Sequence, residues 1–290
     1  MRYVVGYQPD ERGADAVALG IAIARAQGAK LELMLVLGEN APYVAANPEG
    51  ARVNAEEQQV LTAQRTALGM VPHDVSAEFH VRQGSSFAAV LIEAAVEFEA
   101  ALIIVGAASN GLFKRYTVGS VANSLLHASP IPVALAPRGY HRTAPIERLT
   151  AFIGRRPGAD AAVDVALVAA SRRNVPLRFV SLVELDERGE HGENINAAHR
   201  HANTVLESAA HRLPRGHEAS VAVAHGRTLE AAVDSLDWRD GELVIIGSSR
   251  LAQKRRIFIG STANKILRAL PVPLVVVPLE YEGAESRPLG

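Results

Sequence analysis

The chain contains no cysteine. Disulfides, thiolate nucleophiles and cysteine-based zinc sites are therefore excluded, and a reducing compartment is compatible. Neither sign of charge is in excess: 30 basic residues stand against 31 acidic ones, a net charge of −1. Such a balance offers no electrostatic basis for nucleic acid or an acidic membrane as the main partner. No run reaches the roughly 18 consecutive apolar residues of a membrane span. The opening MRYVVGYQPDE lacks the apolar region of a signal peptide. A soluble protein of the cytoplasm is expected, without nucleic-acid or membrane partners. Missing too are HExxH, Gly-x-Ser-x-Gly, the phosphate loop of nucleotide triphosphatases and a Rossmann glycine fingerprint after the first strand. Zinc-protease, hydrolase and kinase-type chemistry thus has no anchor, and no catalytic residue or metal ligand is assigned.

What is present is a hydrophobic content of 48% and a charged content of 21% over 290 residues, enough for two domains with a core each. A short apolar run at 2–7 ends in a polar turn, as a buried strand does. Over 15–27, Ala16, Leu19, Ala22, Ile23 and Ala26 fall at helical spacing, and Gly28 is placed to stop that helix. Further strands are predicted at 31–37, 75–82, 101–105 and 133–137, separated by helices at 51–68, 87–98 and 120–128. The second half repeats this order, with strands at 149–153, 177–183, 220–224, 243–246 and 274–278. Strands alternating with helices at this spacing specify an α/β fold: a parallel sheet with helices on both faces. The polar stretch 138–147, which includes Pro145, suits a linker between a first domain at 1–138 and a second at 148–280.

The halves agree most closely in one block. Residues 105–137, VGAASNGLFKRYTVGSVANSLLHASPIPVALAP, return at 246–278 as IGSSRLAQKRRIFIGSTANKILRALPVPLVVVP. Each copy runs as an apolar strand, a glycine, a basic loop, Gly-Ser, an amphipathic helix, a Pro-x-Pro turn and a second strand. A repeat of this length means two copies of a domain rather than a solenoid. Gly106 and Gly247 end strands at the edge where α/β sheets bind ligands, and a missing Cβ lets backbone approach a ligand there. Gly119-Ser120 and Gly260-Ser261 then open helices, whose N–H groups and positive dipole end favour phosphate; the serine could cap the helix or donate to a phosphate oxygen. Gly-Ser before a helix is also an ordinary cap.

Both halves resemble universal stress protein domains, and the chain resembles a tandem two-domain member. The resemblance rests on a pattern of strand, Gly-x-x-Gly, nine residues, Gly-Ser/Thr, helix and Pro-Val strand. Here it reads Gly106-Ala107-Ala108-Ser109, nine residues, Gly119-Ser120, then Pro132-Val133. The second copy reads Gly247-Ser248-Ser249-Arg250, nine residues, Gly260-Ser261, then Pro273-Leu274. Gly84 and Gly226, before the helix preceding the fourth strand, add support. The resemblance implies two Rossmann-like domains, each a five-stranded parallel sheet in the order 3-2-1-4-5 flanked by helices. It further implies a cytoplasmic stress-response protein that binds ATP, ADP or AMP as a regulatory ligand through these loops, without dedicated catalysis. The sites it suggests are Gln8, Gly106, Ser109, Gly119 and Ser120, and Gly247, Arg250, Gly260 and Ser261. Two departures bear on this: Ser109 and Arg250 replace the second glycine, and neither first strand ends in the aspartate usual among nucleotide-binding members. Arg250 could clamp a phosphate or fill the empty site as a pseudo-ligand. A nucleotide-free interaction scaffold with degenerate sites is the alternative function, and slow ATP hydrolysis a third.

In the implied order, strands 133–137 and 274–278 are apolar edges, a liability unless covered. Pairing them with each other would make the chain an intramolecular pseudo-dimer, and a further homodimer is a second partner expectation. The basic residues Lys114, Arg115, Arg155, Arg156 and 254–256 stand near the loops, as phosphate attractors or solvated surface. His199 and His201 point to different faces of a helix, which favours an exposed polar helix over a metal site. Asp15 and Asp160 recur near helix starts and read as caps or dipole partners; Trp238 reads as packing.

Overall fold

A computed structural model describes residues 1–38, 49–107, 119–154, 159–185, 191–248, 257–279 and 281. The first half runs β1 (Arg2–Tyr7), α1 (Glu11–Gln27), β2 (Lys30–Leu37), α2 (Glu49–Gly69), β3 (Ala77–Gln83), α3 (Phe87–Glu97), β4 (Leu102–Gly106), α4 (Ser120–Ala128) and β5 (Val133–Ala136). The second half runs β6 (Arg148–Phe152), α5 (Ala159–Arg173), β7 (Leu177–Glu184), α6 (His191–Ala210), β8 (Ala219–Gly226), α7 (Leu229–Asp234), β9 (Glu242–Gly247), α8 (Ser261–Ala269) and β10 (Leu274–Val277). Within each half every strand pairing is parallel.

The ten strands form one continuous sheet in the order β3-β2-β1-β4-β5-β10-β9-β6-β7-β8. The halves meet where β5 and β10 pair antiparallel, with Leu135 opposite Leu274, Ala134 opposite Val275 and Val133 opposite Val276. Five of these six side chains are fully buried, and the apolar edges of the two halves cover each other. The partners at a central antiparallel position lie within disulfide range. Ala134→Cys with Val275→Cys is therefore expected to close a disulfide under mild oxidation, read as loss of both thiols in a chain with no other cysteine.

Two apolar layers sandwich the sheet. Side chains of α1, α2, α5 and α6 pack on one face around Leu31, Leu33, Ile104 and Phe179. Those of α3, α4, α7 and α8 pack on the other around Val4, Ile103, Val244 and Val276. Each fully buried Leu or Ile contributes about 1.5–3 kcal/mol. Both layers cross the seam, so the halves share their cores. Among the described residues no helix is long and apolar enough to cross a membrane.

The helix after β1 begins four residues earlier than periodicity predicts. Asp10 is its N-cap, accepting from the Gly13 N–H at 2.9 Å. Asp15 is thus no cap. It is buried within α1 and accepts from the Gly139 N–H at 2.9 Å, tying the linker to the first domain. Burial pushes its carboxyl above the usual aspartate range, partly offset by that hydrogen bond. At the other end Gly28 takes a left-handed conformation at φ 68° and returns its N–H to Ala24 O at 2.6 Å.

Candidate functional site

The first candidate site lies beyond the C-terminal ends of β1 and β4, which are neighbours in the sheet. The chain leaves β1 toward β2 on one side and reaches β4 on the other, so a crevice opens between their exits. Gln8, Gly106, Gly119 and Ser120 come from the three segments around it: the β1–α1 turn, the end of β4 and the start of α4. Ser109, Arg250 and the basic residues Lys114, Arg115, Arg155, Arg156 and 254–256 lie outside the described residues.

The structure revises the reason for several glycines. A Cβ on Gly106 would stand 2.2 Å from Arg12 O, and one on Gly13 would stand 1.9 Å from Gln8 O. The space a Gly106 side chain would need is thus taken by the first turn of α1. Gly84 and Gly226 are alike: their Cβ atoms would meet Val90 Cγ2 at 2.4 Å and Ala232 N at 2.6 Å. These glycines let a helix start close against its strand.

Gln8 is also partly engaged, donating its Nε2 to Val36 O at the end of β2 at 3.2 Å. No acid ends β1 itself, but the following turn brings Asp10 to the same edge. Desolvation works to raise its carboxyl, and the Gly13 N–H and the Arg12 guanidinium prevail, holding it below the usual range. Arg12 reaches Asp10 Oδ2 at 2.6 Å. Asp10 is not recognisable from the strand's own end in the sequence, because the turn after β1 carries it to that edge. In the repeat, where Gly158-Ala159-Asp160 matches Gly13-Ala14-Asp15, Arg155 stands in place of Asp10.

The helix starts carry the clearest signal. Where N-caps are described, α1, α3 and α7 are closed by side chains: Asp10 on Gly13 N, Ser86 on Ala89 N and Thr228 on Ala231 N. The caps of α4 and α8 are Gly119 and Gly260, with no side-chain cap bond at either. Ser120 and Ser261 are the first helical residues and do not cap, contrary to one sequence expectation. The initial N–H groups of both helices therefore receive no bond from a capping side chain of the N-cap residue, a disposition that suits an anion.

The two ends of the second loop are tied to each other. Ser248 Oγ donates to Phe258 O at 3.1 Å and accepts from Phe258 N at 2.7 Å, fastening one end of the loop to the other. The first half has Ala107 at that position, which has no hydroxyl. Ile257 N donates to Ser129 O at 2.9 Å and Ile259 N to Leu126 O at 3.2 Å, while the Phe258 and His127 rings meet edge to face. The C-terminal end of α4 thus supports the second loop, while its N-terminal end faces the first crevice.

Among the described residues one trio could approach a cation: Glu32, Glu78 and His80, at the opposite edge of the sheet. It is already compensated. Lys30 Nζ lies 2.6 Å from Glu78 and 3.3 Å from Glu32, and His80 Nε2 lies 2.8 Å from Glu32. On α6, His199 is exposed but His201 is half-buried, and its Nε2 is buried with no hydrogen-bond partner among the described residues. Packing against β7 and β8 draws that turn inward, so an exposed polar helix describes α6 only in part.

Residues 1–137 and 146–278 each match the universal stress protein family. The chain belongs to the universal stress protein family. It carries two copies of the family's domain in tandem. It is 31% identical over 297 residues to universal stress protein Rv2319c of Mycobacterium tuberculosis strain H37Rv, covering 96% of this chain and all of that one. Among solved structures, a universal stress protein from Archaeoglobus fulgidus superposes with a TM-score of 0.65 at 15% identity, covering 96% of this chain and 98% of that one. A universal stress protein structure from Pseudomonas aeruginosa UCBPP-PA14 gives 0.60 at 16%, covering 96% and 93%. At these identities the structural likeness speaks for the fold, with helices flanking a mostly parallel sheet in both.

Proposed function

We propose that this tandem universal stress protein binds an adenine nucleotide, ATP, ADP or AMP, as a regulatory ligand in the cytoplasm, and that the first domain carries the working site. The observation behind this reading is the glycine-capped start of α4 at the crevice between β1 and β4, where the capping residue has no side chain to close it. Phosphate would receive the N–H groups at Gly119-Ser120, with Ser109 in the loop as a further donor. Gln8 Oε1, left over from the bond to Val36, would accept from the nucleoside. No general base is assigned at the site, so binding rather than turnover is the proposed activity.

The nucleotide-free scaffold is favoured for the second domain by the Ser248 fastening and by Arg155 in place of Asp10. Gly247, Arg250, Gly260 and Ser261 are then remnants of the duplicated pattern, with Arg250 standing in for a ligand.

Mass spectrometry of the supernatant after denaturing the purified protein is expected to show an adenine nucleotide, and calorimetry to show one site. Gly119→Val is expected to weaken binding at least about tenfold by blocking backbone approach, and Gly260→Val to leave it unchanged. A protein that releases no nucleotide and gives no heat with ATP would sink the reading. Phosphate release that Gly119→Val abolishes would replace it with a slow ATPase.

A further inference from the structure

The ten-stranded sheet ends in two outer strands, β3 and β8. An outer strand invites pairing with another chain unless charge, proline or a bulge deters it. β3 carries the deterrent. Glu78, His80 and Arg82 alternate along it, with Lys30 at 2.6 Å from Glu78 and Glu97 at 2.7 Å from Arg82. β8 reads ASVAVAHG, with no Asp, Glu, Lys, Arg or Pro. Two other strand edges without charge, those of β5 and β10, are covered by antiparallel pairing with each other.

The backbone of β8 shows which groups remain to be covered. The strand pairs with β7 along its whole length. Glu218 O accepts from Leu177 N at 3.0 Å, and Gly226 O from Leu185 N at 2.8 Å. Peptide directions alternate along a strand, so the even-numbered residues bond β7. Ala219, Val221, Val223 and His225 therefore turn N–H and C=O outward. Among the described residues no strand lies on that side and no backbone group bonds to these four. Val221 and Val223 pack into the layer of α6, and Ala222 into that of α7, so both faces are covered and the edge alone is open.

We infer that this edge binds the same edge of a second copy of the chain, antiparallel, about a two-fold axis at Ala222. A two-fold axis sets a strand antiparallel to itself. Placed there, it matches outward residues with outward residues: Ala219 meets His225 and Val221 meets Val223, once in each direction. The valines form β-branched cross-strand pairs, and the residues on the axis are two alanines, which leave room. Charge agrees with this register. Glu218 and Arg227 flank the strand, both are exposed, and neither has an ion-pair partner among the described residues. The axis brings Glu218 of each copy beside Arg227 of the other, a complementary arrangement. Only the charged β3 edges are then left outermost, so assembly stops at two copies. The inference does not rest on the nucleotide reading.

The test is analytical ultracentrifugation of the full chain together with oxidative crosslinking. A concentration-dependent dimer is expected. Ala222→Cys sets two thiols opposite each other on the axis, at a spacing within disulfide range. Mild oxidation is expected to make a covalent dimer of this variant, whose chain has no other cysteine. Val81→Cys, at a position 40% exposed on β3, is expected to stay reduced under the same oxidation. His225→Pro removes an outward N–H at an exposed position and none that bonds β7, and is expected to weaken the dimer at least about tenfold. A chain that stays monomeric up to about 100 μM, a dimer that Ala222→Cys does not crosslink, or equal crosslinking through Val81→Cys would overturn the interface. Undiminished dimerisation by a folded His225→Pro protein would overturn the edge pairing.

Discussion

Glu242→Ala is expected to lower the stability of the protein by about 3–5 kcal/mol, the cost of breaking a buried ion pair from one side. Glu242 opens β9 and is fully buried. Arg148 NH2 donates to its Oε2 at 2.6 Å and Arg178 NH2 to its Oε1 at 2.6 Å. Thr150 Oγ1 donates to the same Oε1, and the Arg239 N–H reaches Oε2 at 3.2 Å. Both arginines also donate to Asp237 O, and Arg178 lies over the Trp238 ring at 5.3 Å. Desolvation drives the Arg178 guanidinium below its ordinary range, with the neighbouring Glu242 carboxylate opposing. Removing that carboxylate leaves two cations facing each other away from water. Urea unfolding should show the loss, and a change within about 0.5 kcal/mol, the scale of ordinary surface substitutions, would refute the account. A triple variant, Arg148→Met with Arg178→Met and Glu242→Leu, is expected to recover much of the loss, since apolar replacement of a whole buried triad is often tolerated.

Gly106→Val is expected to destabilise the first domain by about 3 kcal/mol, the upper end of ordinary overpacking. The obstacle to its Cβ is backbone, Arg12 O at 2.2 Å, with Arg12 C and Cα both at 2.9 Å, so no side-chain rotation relieves it. The first turn of α1 must move away from β4, and the Asp10 cap moves with it. Gly69→Ala is the matching control: nothing lies within 4 Å of its Cβ position, at the end of a helix. It should be neutral or slightly stabilising, by up to about 1 kcal/mol. Thermal melting of the two variants side by side separates close backbone packing from any general effect of losing a glycine. Equal melting temperatures would show that the α1–β4 approach is softer than the distances require.

Much of the architecture could be read from the chain because its signals are local. Apolar runs such as those at β1 and β2 mark strands by length and flanks, and Gly28 stops α1 through a conformation that one residue adopts by itself. The repeated block identified two domains without any knowledge of contacts. The boundaries it missed follow from the same locality. Apolar runs alone start strands β6 and β9 at Leu149 and Leu243, because Arg148 and Glu242 look like solvent-side residues until their partners across the sheet are known. Asp15 looked like a cap because its distant partner, Gly139, is invisible at helical spacing.

By itself, then, the sequence determined the α/β class, the tandem duplication and the glycine-opened loops, since periodicity, turn chemistry and self-similarity act within a few residues or between equal strings. Only the tertiary structure decided what those features are for. It joined the halves through β5 and β10, packed Gly106 against the first turn of α1, and set glycines, which have no side chain to cap with, at the N-caps of α4 and α8. It also buried the Arg148–Glu242–Arg178 cluster and placed β8 at an outer edge of the sheet. Each of these depends on which atoms from far along the chain come to share a space, and sequence pattern alone carries no record of that.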